Sequence, residues 1–199
     1  MPCITTILFD LGNTLLWFDF KPVFTRLLSM SKGDPERITS AVNARYDDFA
    51  AGRMTPAEWH EFIQRTCGIS MPWEEFSRLW ADIFWEHREM FALARETRPR
   101  YRQYLLSNTD AIHFPWCCER FALEEVLDGY ILSYELGAVK PQREIYERGL
   151  AKFGLNPEEC VFIDDLEANL EGARAVGIHT VRCVSIEQVR RDLRELGVG

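Results

Sequence analysis

The feature that most constrains the fold is residues 4–14, which read Ile-Thr-Thr-Ile-Leu-Phe-Asp-Leu-Gly-Asn-Thr. An apolar run of strand length, rich in residues that favour β-structure, ends at Asp10 and is followed at once by a Gly-Asn turn. A carboxylate at the C-terminal end of a buried parallel strand lies where open α/β sheets place their ligand crevice. Taken alone, the pattern is equally typical of an ordinary strand whose last Asp caps a helix.

Later in the chain, short apolar runs of strand length alternate with helical patterns. Strands are predicted at residues 104–106, 130–132, 160–163 and 178–181, with helices over 143–153, 166–176 and from Ser185 onwards. Strands that alternate with helices indicate a parallel sheet with right-handed crossovers. We therefore predict an α/β fold with a doubly wound, Rossmann-like parallel sheet.

Helical patterns alone fill the region between the first two predicted strands. Asp34 before Pro35, and a capping box that starts at Thr55, mark the beginnings of two of these helices. A further helix is predicted from Pro72 through Phe84. Because this block interrupts the alternation, we interpret it as an inserted helical cap over the crevice.

The cap is predicted to comprise residues 18–88, and the α/β core residues 1–17 and 89–199. Two short hinges are expected, near residues 17–22 and 87–90. The aromatic segment 15–20 is patterned for no regular element. It is either a mobile flap or part of the core packing.

Composition narrows the possible partners and the compartment. The 199 residues carry a net charge of −8, which disfavours nucleic acid and anionic membranes as partners. The six cysteines form no C-x-x-C pair, and no apolar run approaches membrane-spanning length. We therefore expect a cytoplasmic protein, a monomer or a homodimer, with a small molecule as its substrate.

Chemically useful side chains follow the ends of four predicted strands, namely Asp10, then Ser107 with Asn108, then Lys140, then Asp164 with Asp165. In a doubly wound sheet these ends share one edge, so the side chains can converge. Asp10 and Asp165 could hold Mg²⁺, a hard cation that prefers oxygen ligands. Ser107 and Lys140 could bind phosphate oxygens, while Asp10 attacks phosphorus. This inventory predicts phosphoryl transfer.

With these residues in this order, the sequence resembles the haloacid dehalogenase-like (HAD) hydrolase superfamily over essentially its whole length. It is most similar to the branch with a helical cap after the first strand, which includes α-D-glucose-1-phosphate phosphatase and the phosphatase domain of soluble epoxide hydrolase. The resemblance rests on four motifs, which are Asp10-Leu11-Gly12-Asn13-Thr14, Ser107-Asn108-Thr109, Lys140-Pro141, and Asp164-Asp165 with Asn169.

The resemblance implies a Mg²⁺-dependent phosphatase that acts on a small phosphorylated metabolite, with a sugar phosphate favoured, through an aspartyl-phosphate intermediate. Asp10 would be the nucleophile, and Ser107, Asn108 and Lys140 would bind phosphate. The metal ligands would be Asp10, the backbone carbonyl of Gly12 and Asp165, with Asp164 in support.

The sequence departs from the family pattern at Gly12, where phosphatases of this family usually carry a second Asp as general acid and base. Two alternatives therefore stay open, a metal-independent 2-haloacid dehalogenase and a catalytically impaired module that binds phosphate or a partner. Arg53, between two cap helices, is a further candidate for contact with the substrate. His113 is expected at the surface.

Overall fold

The computed structural model describes residues 3–199, and its secondary structure alternates between strands and helices. In chain order the elements are β1 (Thr6–Phe9), β2 (Leu16–Phe18), α1 (Lys21–Met30), α2 (Pro35–Ala50), α3 (Pro56–Cys67), α4 (Trp73–Ala81), β3 (Phe84–Glu86), α5 (Arg88–Thr97), β4 (Arg102–Ser107), α6 (His113–Arg120), β5 (Gly129–Leu132), α7 (Ser133–Leu136), α8 (Arg143–Phe153), β6 (Cys160–Asp164), α9 (Glu167–Arg174), β7 (His179–Arg182) and α10 (Ile186–Glu195).

Within the described residues, five strands form one sheet in the order β5-β4-β1-β6-β7, and every neighbouring pair is parallel. The chain runs outward from β1 to β4 and β5 on one side, and then returns to β6 and β7 on the other. β1 is therefore the point where the strand order reverses, which is where open α/β sheets bind ligands. The predicted doubly wound α/β fold is confirmed.

Side chains of the sheet alternate between two apolar clusters, one on each face. In β1, Ile7 and Phe9 belong to the cluster that also contains Met90 of α5, whereas Leu8 packs with Ile145 of α8 on the other face. This alternation is the period of two expected of a strand. Because both faces are covered by helices, the strands are buried on both sides, as parallel sheets require.

The predicted helix starts agree with the structure. Asp34 caps α2 by accepting a 2.8 Å hydrogen bond from the backbone N–H of Arg37. Thr55 and Glu58 form the predicted capping box at the start of α3. Ser185 likewise accepts a hydrogen bond from the backbone N–H of Gln188 at the start of α10. These bonds satisfy backbone N–H groups that have no partner within the helix.

Helices α1 to α4 lie between β2 and β3 and share an apolar cluster, which includes Trp59, Phe76 and Trp80 and is joined by Ile112 from the loop after β4. This cluster is separate from the two that flank the sheet, as expected of an inserted cap. The boundaries at residues 17–18 and 88–89 stay a prediction. None of the helices within residues 3–199 is both long and apolar enough to span a bilayer.

Two predictions around this block were wrong. Residues 16–18 form β2 rather than an irregular segment, and Phe84 belongs to β3 rather than to the helix before it, which ends at Ala81. β2 and β3 pair antiparallel, with Trp17 opposite Trp85. The chain therefore enters and leaves the helical block through one two-stranded ribbon.

Candidate active site

The predicted site residues converge at the C-terminal edge of the sheet. Asp10 directly follows β1, Ser107 ends β4 and Asp164 ends β6, while Lys140 lies in the loop between α7 and α8. Asp10, Ser107 and Lys140 line a pocket of about 530 Å³ together with the helical block, whereas Asp164 is buried and is not among the lining residues. The lining consists of Asp10, Leu11, Gly12, Asn13, Phe18, Phe20, Tyr46, Phe84, Ser107, Asn108, Thr109, His113, Lys140, Pro141, Asp165, Leu166, Ala168 and Asn169.

Lys140 bridges two buried carboxylates. Its Nζ lies 2.6 Å from Oδ1 of Asp10 and 2.7 Å from Oδ2 of Asp164. Burial alone would lower the pKa of Lys140, but the two carboxylates outweigh this effect and raise it above its usual value. Lys140 is therefore a fixed positive charge beside the candidate nucleophile.

Asp10 is 7% exposed, and burial raises the pKa of its carboxyl group to about 7. The charge of Lys140 opposes this rise, whereas the charge of Asp164 adds to it. Burial also raises the pKa of Asp165. One lysine thus does not compensate the negative charge that these three carboxylates would carry together.

Asp164 is held rigidly by its neighbours in the loop that starts α9. Its carboxylate accepts hydrogen bonds from the amide of Asn169, at 3.1 and 3.0 Å, and from the backbone N–H of Leu166 at 2.8 Å. With Lys140, these donors satisfy the oxygens of a side chain that is completely buried. Asp164 therefore holds Lys140 in place, and its supporting role toward a metal stays a prediction.

The strand-end motif Ser107-Asn108 is locked to the lysine loop. The Asn108 amide donates to the backbone carbonyl of Lys140 at 3.0 Å and accepts from its backbone N–H at 2.7 Å. This reciprocal pair fixes the Lys140 backbone opposite the end of β4. Ser107 is 1% exposed and lines the pocket beside this pair.

The turn after β1 is shaped by Asn13, which adopts a left-handed backbone with φ of 54°. Asn is one of the few residues that tolerate this conformation. The turn brings the Asn13 amide within 3.2 Å of Oδ2 of Asp165, to which it donates. The loops after β1 and β6 are thereby joined across the site.

The arrangement suits a divalent cation. Oxygens of Asp10, Asp164 and Asp165 all lie within 4.8 Å of one another, and Gly12 lines the same pocket. Hard cations such as Mg²⁺ take carboxylate and carbonyl oxygens as ligands. The negative charge of the three carboxylates, which Lys140 compensates only in part, favours the binding of such a cation.

Gly12 is required by packing rather than by its backbone angle. Its φ lies outside the left-handed region, but a Cβ atom there would lie 2.6 Å from Cε1 and 3.0 Å from Cδ1 of Phe18. The Phe18 ring therefore occupies the space into which a side chain at position 12 would project. The space that the side chain of a second Asp would need is therefore filled by the Phe18 ring.

Two expectations for residues near the site need comment. The structure does not bring Arg53 to the pocket, because its guanidinium pairs with Asp48 at 2.9 Å on the outside of the helical block. The prediction that His113 is a surface residue was wrong, since His113 is 1% exposed and lines the pocket. Its Nδ1 lies 2.6 Å from Oδ2 of Asp110 and its Nε2 lies 2.8 Å from the carbonyl of Trp80.

His113 therefore faces two acceptors, and both bonds can form together only when both ring nitrogens carry a proton. Asp110 in turn accepts from the Tyr46 hydroxyl at 3.2 Å and from the Trp80 indole at 3.4 Å. This Asp110 cluster joins α2 and α4 to the loop after β4. The sequence signal that reveals it is an Asp three residues before a His at a helix start, which places the two side chains together.

Comparison with known proteins agrees with this geometry. Residues 4–177 match the family model described as haloacid dehalogenase-like hydrolase. The chain is 25% identical over 186 residues to D-ribitol-5-phosphate phosphatase of Bacteroides thetaiotaomicron, covering 89% of this chain and 90% of the relative. It is 24% identical over 194 residues to a sesquiterpene phosphatase of Aspergillus oryzae, covering 95% and 94%.

Among solved structures, the chain is similar to a HAD family enzyme of B. thetaiotaomicron in complex with magnesium and inorganic phosphate. The TM-score is 0.80 with 28% identity, and the match covers 90% of this chain and 93% of the other. The chain belongs to the haloacid dehalogenase-like hydrolase family. Within it, the relatives and the site define a phosphoric monoester hydrolase.

Proposed function

We propose that the protein is a Mg²⁺-dependent phosphatase that hydrolyses a small phosphate monoester through an aspartyl-phosphate on Asp10. The observation that carries the proposal is the position of Asp10. It is a buried carboxylate at the reversal point of the sheet, it lines a pocket, it pairs with Lys140, and it lies within 4.8 Å of two further carboxylates. No other side chain described in residues 3–199 combines these properties.

In the first step, a carboxylate oxygen of Asp10 attacks phosphorus and forms a new P–O bond. The P–O bond to the alcohol breaks, and its electron pair leaves with the alcohol oxygen. In the second step, water attacks the same phosphorus, the P–O bond to Asp10 breaks, and inorganic phosphate is released. Ser107, Asn108 and Lys140 bind the phosphoryl oxygens throughout.

Lys140 has a second role, because its ammonium group forms an ion pair with the Asp10 carboxylate. A positive charge 2.6 Å from the carboxylate favours its ionised form, which is the form that attacks. Asp164, held by Asn169 and Leu166, keeps the lysine in place. The three residues therefore act as one unit.

Asp10, Asp165 and the backbone carbonyl of Gly12 would hold Mg²⁺, with Asp164 in support. When bound, the ion neutralises charge on the phosphoryl oxygens. The proton for the leaving alcohol must come from elsewhere, since Gly12 has no side chain and Phe18 fills the space beside it. We infer that the leaving oxygen takes its proton from water.

Residues 18–88 act as the cap that covers the crevice and contacts the non-phosphate part of the substrate. We infer this from the four side chains that this segment contributes to the pocket. The preference for a sugar phosphate, and the cytoplasmic location, stay predictions. The chemistry of the cap side of the pocket weighs against a sugar.

The proposed function is tested by phosphate release from a generic aryl phosphate, with Mg²⁺ and with EDTA. We expect release with Mg²⁺ and its loss in EDTA. Metal-independent halide release from a 2-haloacid would instead establish a dehalogenase. Phosphate binding without turnover of any ester would establish the impaired module.

A further inference from the structure

The pocket has two chemically different sides. The charged side chains and the Ser and Asn side chains that line the pocket all come from the core, and they surround the proposed position of the phosphoryl group. From residues 18–88, in contrast, four side chains reach the pocket, and all are aromatic, namely Phe18, Phe20, Tyr46 and Phe84. The part of the substrate that leaves as an alcohol must lie against this aromatic wall.

The rings of the wall pack against one another. Phe18 lies 5.8 Å from Phe20 and 6.1 Å from Phe84, measured between ring centroids. The His113 ring contacts Phe20 and Phe84 edge-on, at 5.5 and 5.2 Å. Such edge contacts are the favoured geometry of aromatic pairs. The wall is therefore a surface whose rings support one another through their own contacts.

The polar atoms next to the wall are already engaged. The Tyr46 hydroxyl donates to Asp110, and both ring nitrogens of His113 are directed at Asp110 and Trp80. Thr109 carries a buried hydroxyl that has no hydrogen-bond partner among the described residues, but it follows Ser107 and Asn108 on the phosphate side. Hydroxyl groups of a polyol would therefore lose water against the wall without gaining partners, which is unfavourable.

The pair Gly12 and Phe18 leads to the same substrate class by a separate route. The ring lies where a side chain on Gly12 would be, so it supplies an apolar surface in place of an acid beside the reacting bond. An alcohol that departs without a proton from the enzyme must be a stable anion. Phenols meet both requirements. Their flat, apolar rings can pack against the wall, and they are more acidic than aliphatic alcohols, so their anions are more stable.

We propose that the pocket selects phosphate monoesters of small aromatic alcohols, with phenols the preferred leaving groups, over esters of sugars and polyols. The inference deepens the proposed phosphatase function and rests on it. The pocket volume of about 530 Å³ is within the range of small-molecule sites and holds a phosphorylated aromatic ring.

The test separates wall contacts from leaving-group chemistry. 2-Phenylethyl phosphate and erythritol 4-phosphate are both esters of primary alcohols, and the neighbouring hydroxyl makes the polyol the better leaving group. We expect kcat/KM for the phenylethyl ester to be higher by at least about tenfold, the size of discrimination that apolar pockets provide. An equal or higher value for the polyol ester would overturn the inference and leave the phosphatase function intact.

Two substitutions on one strand provide a matched pair. Phe84→Asn places a polar side chain in the wall, and we expect it to lower the preference for the phenylethyl ester by about tenfold, mainly through KM. Trp85→Asn changes the next residue of β3, which is half exposed and outside the pocket lining, and should leave the preference unchanged. Equal effects of both substitutions, or none from Phe84→Asn, would contradict the assignment of the wall.

Phe84→Leu covers the case in which the Asn variant does not fold, as judged by its circular dichroism. It keeps an apolar wall and should retain most of the preference. If the parent protein releases phosphate from none of the esters, the proposed phosphatase function is wrong. The preference of the pocket for an aromatic group is then tested separately, by the binding of phosphonates that cannot be hydrolysed. Calorimetry should then show tighter binding of 2-phenylethylphosphonate than of a polyol phosphonate, and the reverse order would overturn it.

Discussion

The ammonium group of Lys140 lies 2.6 Å from the carboxylate of Asp10, and both groups are almost completely buried. Such a pair can be removed only at a cost to the fold as well as to the chemistry, because breaking a buried ion pair leaves an uncompensated charge. Lys140→Met keeps the length of the side chain and removes its charge.

We expect Lys140→Met to lower kcat/KM by about 10²–10³-fold, the effect of losing one charge-stabilising donor in an active site. It should also lower the free energy of unfolding by about 3–5 kcal/mol. Lys152→Met is the matched control, because Lys152 pairs with Glu135 at 2.8 Å on the exposed surface. The control should keep its activity and lose about 0–1 kcal/mol. Enzyme kinetics and urea denaturation measure both quantities.

Asp10→Asn should abolish turnover while the protein still folds. Asn is nearly isosteric with Asp but has no anionic oxygen for attack on phosphorus, and losing a nucleophile costs several orders of magnitude in rate. Phosphate release and a thermal melt would be compared with those of the parent. Turnover within about tenfold of the parent would assign the nucleophile to another residue.

Removal of the metal should abolish activity, and Asp165→Ala should raise the Mg²⁺ concentration needed for half-maximal rate. Asp165 is half buried and lies in the carboxylate cluster, and within residues 3–199 its carboxylate accepts a side-chain hydrogen bond only from the Asn13 amide. Because ligands that bind only the folded state stabilise it, Mg²⁺ should also raise the melting temperature of the parent more than that of the variant. Equal shifts in both proteins would remove Asp165 from the metal site.

Gly12→Asp by itself should fold poorly or displace the Phe18 ring, because its Cβ would lie 2.6 Å from that ring. Overpacking of this kind typically costs about 1–3 kcal/mol. Adding Phe18→Ala should relieve the clash, so the double variant should be more stable than the sum of the two single effects. We expect the double variant alone to show a shallower dependence of kcat/KM on leaving-group pKa. Strict additivity of the stabilities would contradict the packing account.

Asp110→Asn should destabilise the protein, since Asp110 is completely buried and pairs with His113. Burial alone raises the pKa of Asp110, but the charge and hydrogen bonds of His113 outweigh it and leave the pKa below its usual value. The unfolded chain therefore binds this proton first as pH falls. The pair's contribution is fully present above the unfolded pKa of about 3.9 and is lost as pH falls through the lower folded pKa.

At pH 7 the loss in Asp110→Asn should be about 3–5 kcal/mol. Asp48→Asn, which removes the half-exposed pairs with Arg45 and Arg53, should cost about 0–1 kcal/mol for each pair. Urea melts between pH 3 and pH 7, values that bracket the unfolded pKa of about 3.9, would show a smaller acid-dependent loss in Asp110→Asn than in the parent. Parallel curves for the two proteins would mean that Asp110 is not ionised in the fold.

Much of the secondary structure could be predicted from the sequence because the residues that determine each helix start and each strand are close together in the chain. The capping residues Asp34 and Thr55 act on backbone groups three residues away, and each strand shows its own apolar run. β2 and β3 escaped prediction because each has only three residues, and each is stabilised by the other across the whole helical block. Neither carries a periodic pattern long enough to recognise.

The candidate site divides in the same way. Asp10, Ser107 and Asp164 could be placed because a parallel sheet fixes where strand ends meet. The aromatic wall could not, since its four rings reach the pocket only through the packing of the cap against the core. The position of His113 was missed for the same reason, because Trp80 of the cap buries it.

The ribbon formed by β2 and β3 has a consequence for modularity. Paired residues in adjacent antiparallel strands lie about 4.5–5.5 Å apart, so the entry and exit points of the helical block are neighbours in space. Any folded unit whose own ends meet at that distance can be inserted there without breaking the central sheet. The helical block is therefore an exchangeable unit joined to the core at one place, while Asp10 and its partners lie on strands and loops of the core that need not change.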